Sequence, residues 1–166
     1  MPAIAHIGVG FAAKKAAPGI SVIYLIIAAE LIEIAFFGFV AAGIESMPMP
    51  EKPPFSPYSH GVFSGIIWSL AAGLFAWLIS KNKKTCIIIG LLVLSHTILD
   101  IIASPKLAFY PTDTKVPVFF DNSLSVGLGL FKNKILSLVI EFGVLLFGIL
   151  IYVMNRKSGM QHLTIT

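Results

Sequence analysis

Four stretches of this 166-residue chain, 20–44, 60–80, 85–103 and 134–154, are long and nearly free of charge. At about 1.5 Å of rise per residue, some twenty apolar residues cross the ~30 Å hydrocarbon core of a bilayer. Inside that core every backbone amide must find its partner within the protein, so such a stretch folds as a helix. The expected fold is therefore all-α: a polytopic bundle of four transmembrane helices forming one integral membrane domain over 1–166. Composition agrees, since 57% of residues are hydrophobic and 12% charged, with a mean hydropathy of +0.90. That excludes an ordinary soluble domain. The single cysteine, Cys86, excludes an internal disulfide and a cysteine-built zinc site.

Ahead of the first span, Ala3–Lys15 is apolar except for His6 and its closing lysines. About thirteen residues are too few to span, so the segment reads as an interfacial or re-entrant helix, ended by Pro18-Gly19. It lacks the layout of a signal peptide, and the chain is read as mature from Met1. Five prolines between Glu45 and Ser59 make that stretch a non-helical loop. Lys81-Asn82-Lys83-Lys84 is a tight turn that pairs spans two and three as an antiparallel hairpin. A second long connection runs from Lys106 to about Asn133, and the tail after Asn155 is short and polar. Lys14-Lys15, the 81–84 turn and Arg156-Lys157 fall on one side of a four-span arrangement. The positive-inside rule makes that side, with both termini, cytoplasmic. The net charge of +4 thus reports topology rather than nucleic-acid binding.

Four of the eight acids, Glu30, Glu33, Asp100 and Glu141, lie inside spans, and no lysine or arginine lies well inside one. An ionisable side chain at that depth costs roughly 2.5–3.5 kcal/mol on insertion scales. In Ser95-His96-Thr97-Ile98-Leu99-Asp100 the imidazole and the carboxylate are four residues apart and share a helix face. Carboxylates and imidazoles without a basic partner have three solutions: shared protons, a proton relay, or a bound cation. Oxygen and imidazole donors together suit zinc, manganese or iron. Counting rise per residue from the cytoplasmic side puts Glu30 at about 15 Å and Glu33 at about 20 Å. The same count puts His96 at about 16 Å and Asp100 at about 22 Å. His6 comes to about 12 Å if its helix dips inward, which places it beside Glu30 or Glu33. His60, at roughly 30 Å, joins only if the Pro-rich loop folds into the bundle or span two starts deep. Each group also has a plainer reading: Glu30 and Glu33 as a protonated packing pair, His60 at a helix start with Ser59 as N-cap, His162 as a solvated tail residue.

These residues together resemble the membrane-bound metal-dependent hydrolase family, also described as LexA-binding, inner-membrane-associated hydrolases. The matching elements are His6-Ile7-Gly8-Val9-Gly10, Ala29-Glu30-Leu31-Ile32-Glu33, Tyr58-Ser59-His60-Gly61 and Ser95 to Asp100. The stretches 104–111 and 127–131 are similar to one branch of the family. The chain departs from it in carrying glutamates where aspartate is usual, in lacking the proline of that motif, and in having no arginine after His60. The family is distantly similar to zinc-dependent phospholipase C, so the resemblance implies a phosphoester substrate.

The leading expectation is a hydrolase of the bacterial inner membrane that uses a divalent metal ion, zinc first, with manganese or iron as alternatives. Its ligands are His6, Glu33, His60, His96 and Asp100. Glu30 is a further ligand or the general base, and His60 is counted with it among the candidate catalytic residues. Membrane lipids are the surroundings, an amphiphilic phosphoester the substrate, and no nucleic acid is involved. The competing expectations are a small cation or proton transporter, against which the lack of inverted repeats and broken helices counts, and a non-enzymatic scaffold. For the scaffold, Gly38, Gly43, Gly65, Ser69 and Gly73 offer close helix packing.

Overall fold

The computed structural model describes residues 4–47, 56–103 and 134–163. The elements described are all α-helices: α1 (Ile4–Ala13), α2 (Val22–Ala29), α3 (Leu31–Ala41), α4 (Pro57–His60), α5 (Val62–Ser80), α6 (Lys83–Ala103) and α7 (Lys134–Leu163). The expected all-α bundle is what the chain forms. Three helices, α5, α6 and most of α7, are long and apolar enough to cross a membrane, and α2 with α3 makes a fourth if the bent pair is one span. Their large side chains point outward, as in Ile23, Phe75, Leu138 and Phe147. The interior holds Leu25, Ala29, Ile32 and Val93 beside His6, His96, Asp100 and Glu141. Apolar outside and polar inside is the arrangement that lipid as solvent demands.

Close packing needs small residues, because lipid supplies no hydrophobic force between helices. On α5, Gly65 faces Thr97, Ser69 Oγ donates to the Gly90 carbonyl at 2.7 Å, and a Cβ on Gly73 would stand 3.0 Å from the Cys86 carbonyl. This stripe at four-residue spacing seats α5 on α6. Of the five small residues singled out in the sequence, Gly38 and Gly43 have no such neighbour. Gly43 instead takes φ +71° just past the end of α3, turning the chain toward Glu45. The hairpin turn has Lys81 in the left-handed region at φ 53°. Asn82 Oδ1 accepts the Lys84 amide at 2.8 Å and so caps α6.

The N-terminal helix packs inside the bundle, against α7, α2 and α6. Gly8 lies on the backbone of Val144 and Leu145 and meets Gly148, while Phe11 touches Tyr152 with ring centroids 5.5 Å apart. The register advances in the same direction on both helices, so α1 and α7 run parallel. Gly10 lies against Ile26 of α2, and Lys14 Nζ closes the turn between them by donating to the carbonyls of Pro18 (2.7 Å) and Ile20 (2.6 Å).

Several boundaries differ from the sequence reading. The first span is interrupted at Glu30, where the axis bends by 57°. The 45–59 stretch is not wholly a loop, because α4 begins at Pro57, whose fixed φ suits a first helical position. Ser59 lies within α4 and is not an N-cap; Gly61, with ψ 145°, separates α4 from α5. The polar residues after Asn155 extend α7 to Leu163. The connection 106–133 lies outside the described residues.

Candidate metal centre

Four local features deliver five side chains to one place. The first is α1, whose depth in the bundle leaves His6 3% exposed. The second is the bend at Glu30, which brings the Ala29 carbonyl within 2.9 Å of His96 Nδ1 and starts α3 so that Glu33 lies in its first turn. The third is α4, which folds against α3 and presents His60 before α5 begins. The fourth is the α6 face carrying His96 and Asp100, each 1% exposed.

His60 Nε2 lies 3.2 Å from Glu33 Oε2 and 3.7 Å from Asp100 Oδ2. His96 Nε2 lies 3.9 Å from each of the same two oxygens. The other oxygen of Asp100, Oδ1, faces His6 Nε2 at 3.8 Å. Two donor sets result, His6–His96–Asp100 and Glu33–His60–His96, and within each the ligand atoms lie no more than 4.8 Å apart. His96 belongs to both.

The rings are held from behind. A carbonyl only accepts, so His96 Nδ1 carries the hydrogen toward Ala29, and the neutral ring leaves Nε2 bare toward the carboxylates. That Nε2 is buried and has no hydrogen-bond partner among the described residues. His6 stacks on His96, ring centroids 3.7 Å apart at 12°. Phe36 meets the His60 ring edge-on at 5.1 Å. His60 Nδ1 lies 2.8 Å from Ser59 Oγ, which donates to Glu45 Oε2 at 2.7 Å. An imidazole whose far nitrogen is tied to a backbone or side-chain oxygen is the usual supporting arrangement of a metal-ligating histidine.

The positions depart from the depth count in three ways. His6 was expected beside Glu30 or Glu33, but its direct neighbours are the His96 ring and Asp100. His60, the outlier by depth, reaches the cluster because Gly61 lets α4 turn back over α3. Glu30 is not in either donor set; it sits at the bend, with Oε1 buried and unpaired among the described residues. Glu141 is buried on α7, where Ser137 Oγ donates to it at 3.0 Å, and it belongs to neither set. The sequence reading missed Glu45 and the bridging use of Ser59. The only signal available was an acid and a serine at the two ends of a Pro-rich stretch.

An all-α bundle with helices long and apolar enough to cross a membrane, around buried histidines and carboxylates that could hold a metal ion, is the class of protein that fold and site define. No family model matches the chain, and neither a curated protein nor a solved structure matches it.

Proposed function

We propose that this chain is a membrane-embedded, metal-dependent hydrolase of an amphiphilic phosphoester, with His6, Glu33, His60, His96 and Asp100 as ligands of one or more divalent ions. The carrying observation is donor spacing. A four-coordinate ion with bonds of about 2.1 Å keeps its donors about 3.4 Å apart, and the contacts here run from 3.2 to 3.9 Å. Without a cation the bare nitrogen of His96 faces two carboxylates, an acceptor against acceptors. Three imidazoles with carboxylate oxygens favour zinc, and manganese or iron come next. Bound there, the ion would lower the pKa of a water and neutralise charge on a phosphoryl group.

The chain's own residues supply the rest. Glu30 stands outside the donor sets, with one oxygen unpaired among the described residues, and is assigned the role of general base. The five side chains are at most 15% exposed, which limits contact with bulk water. A groove of about 930 Å³ runs between α2 and α5, lined by Tyr24, Ile27, Leu31, Trp68, Phe75 and Ile79. It runs from the turn at Gly19–Ile20 to Ala28 and Leu31, on either side of the bend at Glu30. One apolar tail laid there would bring its head group toward the bend.

The chain is placed in a bacterial inner membrane with the lysine-bearing turns and the C-terminus cytoplasmic. Supporting this, the turn at Ala17–Ile20 lies beside Ser80, Asn82 and Lys84 of the other lysine-bearing turn, so both lie at one end of the bundle. The expectation of a cytoplasmic N-terminus does not fit, because α1 runs parallel to α7 and its N-terminal end therefore points away from that side. After Cys86→Ser, a membrane-impermeant thiol reagent should label Lys115→Cys and not Lys83→Cys in intact cells. The reverse pattern inverts the topology.

The test of activity is purified protein in liposomes containing phosphoester lipids. Zinc-loaded protein should release phosphate or head group, and the Glu30→Gln variant should lose this by about 10²–10⁴-fold, the range for a lost acid–base group. Loading with zinc at a hundred times its Kd should also add about 2.7 kcal/mol of stability, lost on chelation. A shift of the thermal midpoint checks this.

One observation favours a second reading. The break at Glu30 interrupts a membrane span beside the cluster, and interrupted helices line the ion sites of transporters. Cation flux into the same liposomes without hydrolysis would select that reading.

A further inference from the structure

Glu45 lies past the end of α3, yet it is 5% exposed and makes three hydrogen bonds. Its Oε1 accepts the backbone amides of Tyr58 at 2.7 Å and Ser59 at 2.9 Å. Its Oε2 accepts the Ser59 hydroxyl at 2.7 Å. The Ser59 oxygen in turn lies 2.8 Å from His60 Nδ1. These contacts have a direction. A carboxylate only accepts, so the one hydroxyl hydrogen of Ser59 is committed to Glu45. Toward His60 the Ser59 oxygen then has only lone pairs, and His60 Nδ1 must be the donor. A neutral ring protonated on Nδ1 leaves Nε2 bare, and Nε2 is the atom 3.2 Å from Glu33 Oε2 and 3.7 Å from Asp100 Oδ2, two acceptors that a bare nitrogen meets only with a cation or a shared proton between them.

We infer that Glu45 is a positioning residue, setting the tautomer of His60 through Ser59 so that the Nε2 lone pair is aimed into the donor cluster. The metal consequence rests on the function proposed above; the tautomer consequence does not. Ala29 does for His96 what the Glu45–Ser59 pair does for His60, with a backbone carbonyl in place of a relay. The relay is needed because His60 lies on a four-residue helix ahead of Gly61, and no acceptor from the spans meets its Nδ1 among the described contacts.

Glu45→Gln separates this role from simple anchoring of α4. The glutamine keeps the size, and its amide oxygen still accepts the Tyr58 and Ser59 amides. Its NH₂ replaces Oε2, however, and donates to Ser59 Oγ. The serine hydrogen is thereby released to His60 Nδ1, which becomes an acceptor, and the ring proton moves to Nε2.

The experiment is nitrogen-15 NMR of the histidine side chains in metal-free protein, run with Zn²⁺ titration on the parent, Glu45→Gln, Ser59→Ala and the double variant. In the parent His60 should carry its hydrogen on Nδ1, and in Glu45→Gln on Nε2. Zn²⁺ affinity should fall about 10–100-fold in Glu45→Gln, the usual cost of a lost supporting partner. The double variant should match Ser59→Ala, because glutamine can act on the ring only through the hydroxyl. An unchanged His60 tautomer in Glu45→Gln overturns the inference. So does an affinity loss in Glu45→Gln that persists undiminished on the Ser59→Ala background, since anchoring of α4 alone predicts that. A tautomer that switches in a protein taking up no Zn²⁺ upholds the relay and removes the metallohydrolase reading instead.

Discussion

Asp100→Asn should abolish stoichiometric metal binding while the protein still inserts and folds. Asp100 is 1% exposed and its two oxygens face three histidines, Oδ1 toward His6 and Oδ2 toward His60 and His96. Asparagine keeps the shape and one acceptor, but removes the charge and puts an NH₂ where a donor oxygen stood. Among the described residues no lysine or arginine is paired with the cluster, and an anion is what offsets a dication in low dielectric. The loss of affinity should exceed the roughly 10–100-fold that outer-shell changes cost, and Asp100→Ala should do the same. If the cluster instead shares protons, asparagine replaces a carboxylic acid almost without cost, since both hydrogen-bond alike. Metal stoichiometry and the thermal midpoint in detergent, measured for both variants, separate the two: the metal site predicts loss of metal in each, shared protons predict a near-neutral Asp100→Asn.

Gly148→Leu should dislodge α1 and cost the site one of its histidines from a distance. A Cβ at Gly148 runs into the Gly8 carbonyl, and one at Gly8 would stand 2.6 Å from the Val144 carbonyl oxygen. Both obstacles are backbone, so neither can swing aside. Overpacking typically costs about 1–3 kcal/mol, and here the helix yields more easily than the clash, because α1 meets α7 through closely packed backbone that has no room to adjust. With α1 displaced, His6 leaves the His96 ring and Asp100. The variant should therefore show both a lower thermal midpoint and weaker metal binding. Gly143→Leu on the same helix is the control, since nothing lies within 4 Å of its Cβ position, and it should change neither.

Hydropathy was enough to read the helices, because spans of twenty apolar residues have one solution in a bilayer. The shared face of His96 and Asp100 was equally legible, being a matter of helical period. The bend at Glu30 was not: Ala28-Ala29-Glu30-Leu31 contains no proline or glycine, so no local propensity announces it. Its consequence, the Ala29 carbonyl meeting His96, is a contact 67 residues apart in sequence. His60 was misjudged in depth because counting from a straight span assumes the helix is continuous, and Gly61 ends that continuity with an extended ψ of 145°. His6 could be assigned a depth but not a neighbour, since the stacking on His96 depends on how α1 rotates between α7 and α2. Glu45 was invisible for a related reason: its role appears only when α4 closes back over the end of α3.

The most direct test of the five-residue metal centre is anomalous scattering from crystals of the zinc-loaded protein. One strong peak is expected about 2.0–2.2 Å from the Nε2 atoms of His60 and His96 and from an oxygen of Glu33 or Asp100, with His6 in the same shell or bound to a second ion shared through Asp100. A protein that takes up no divalent ion, or whose anomalous peak lies away from these side chains, would contradict it.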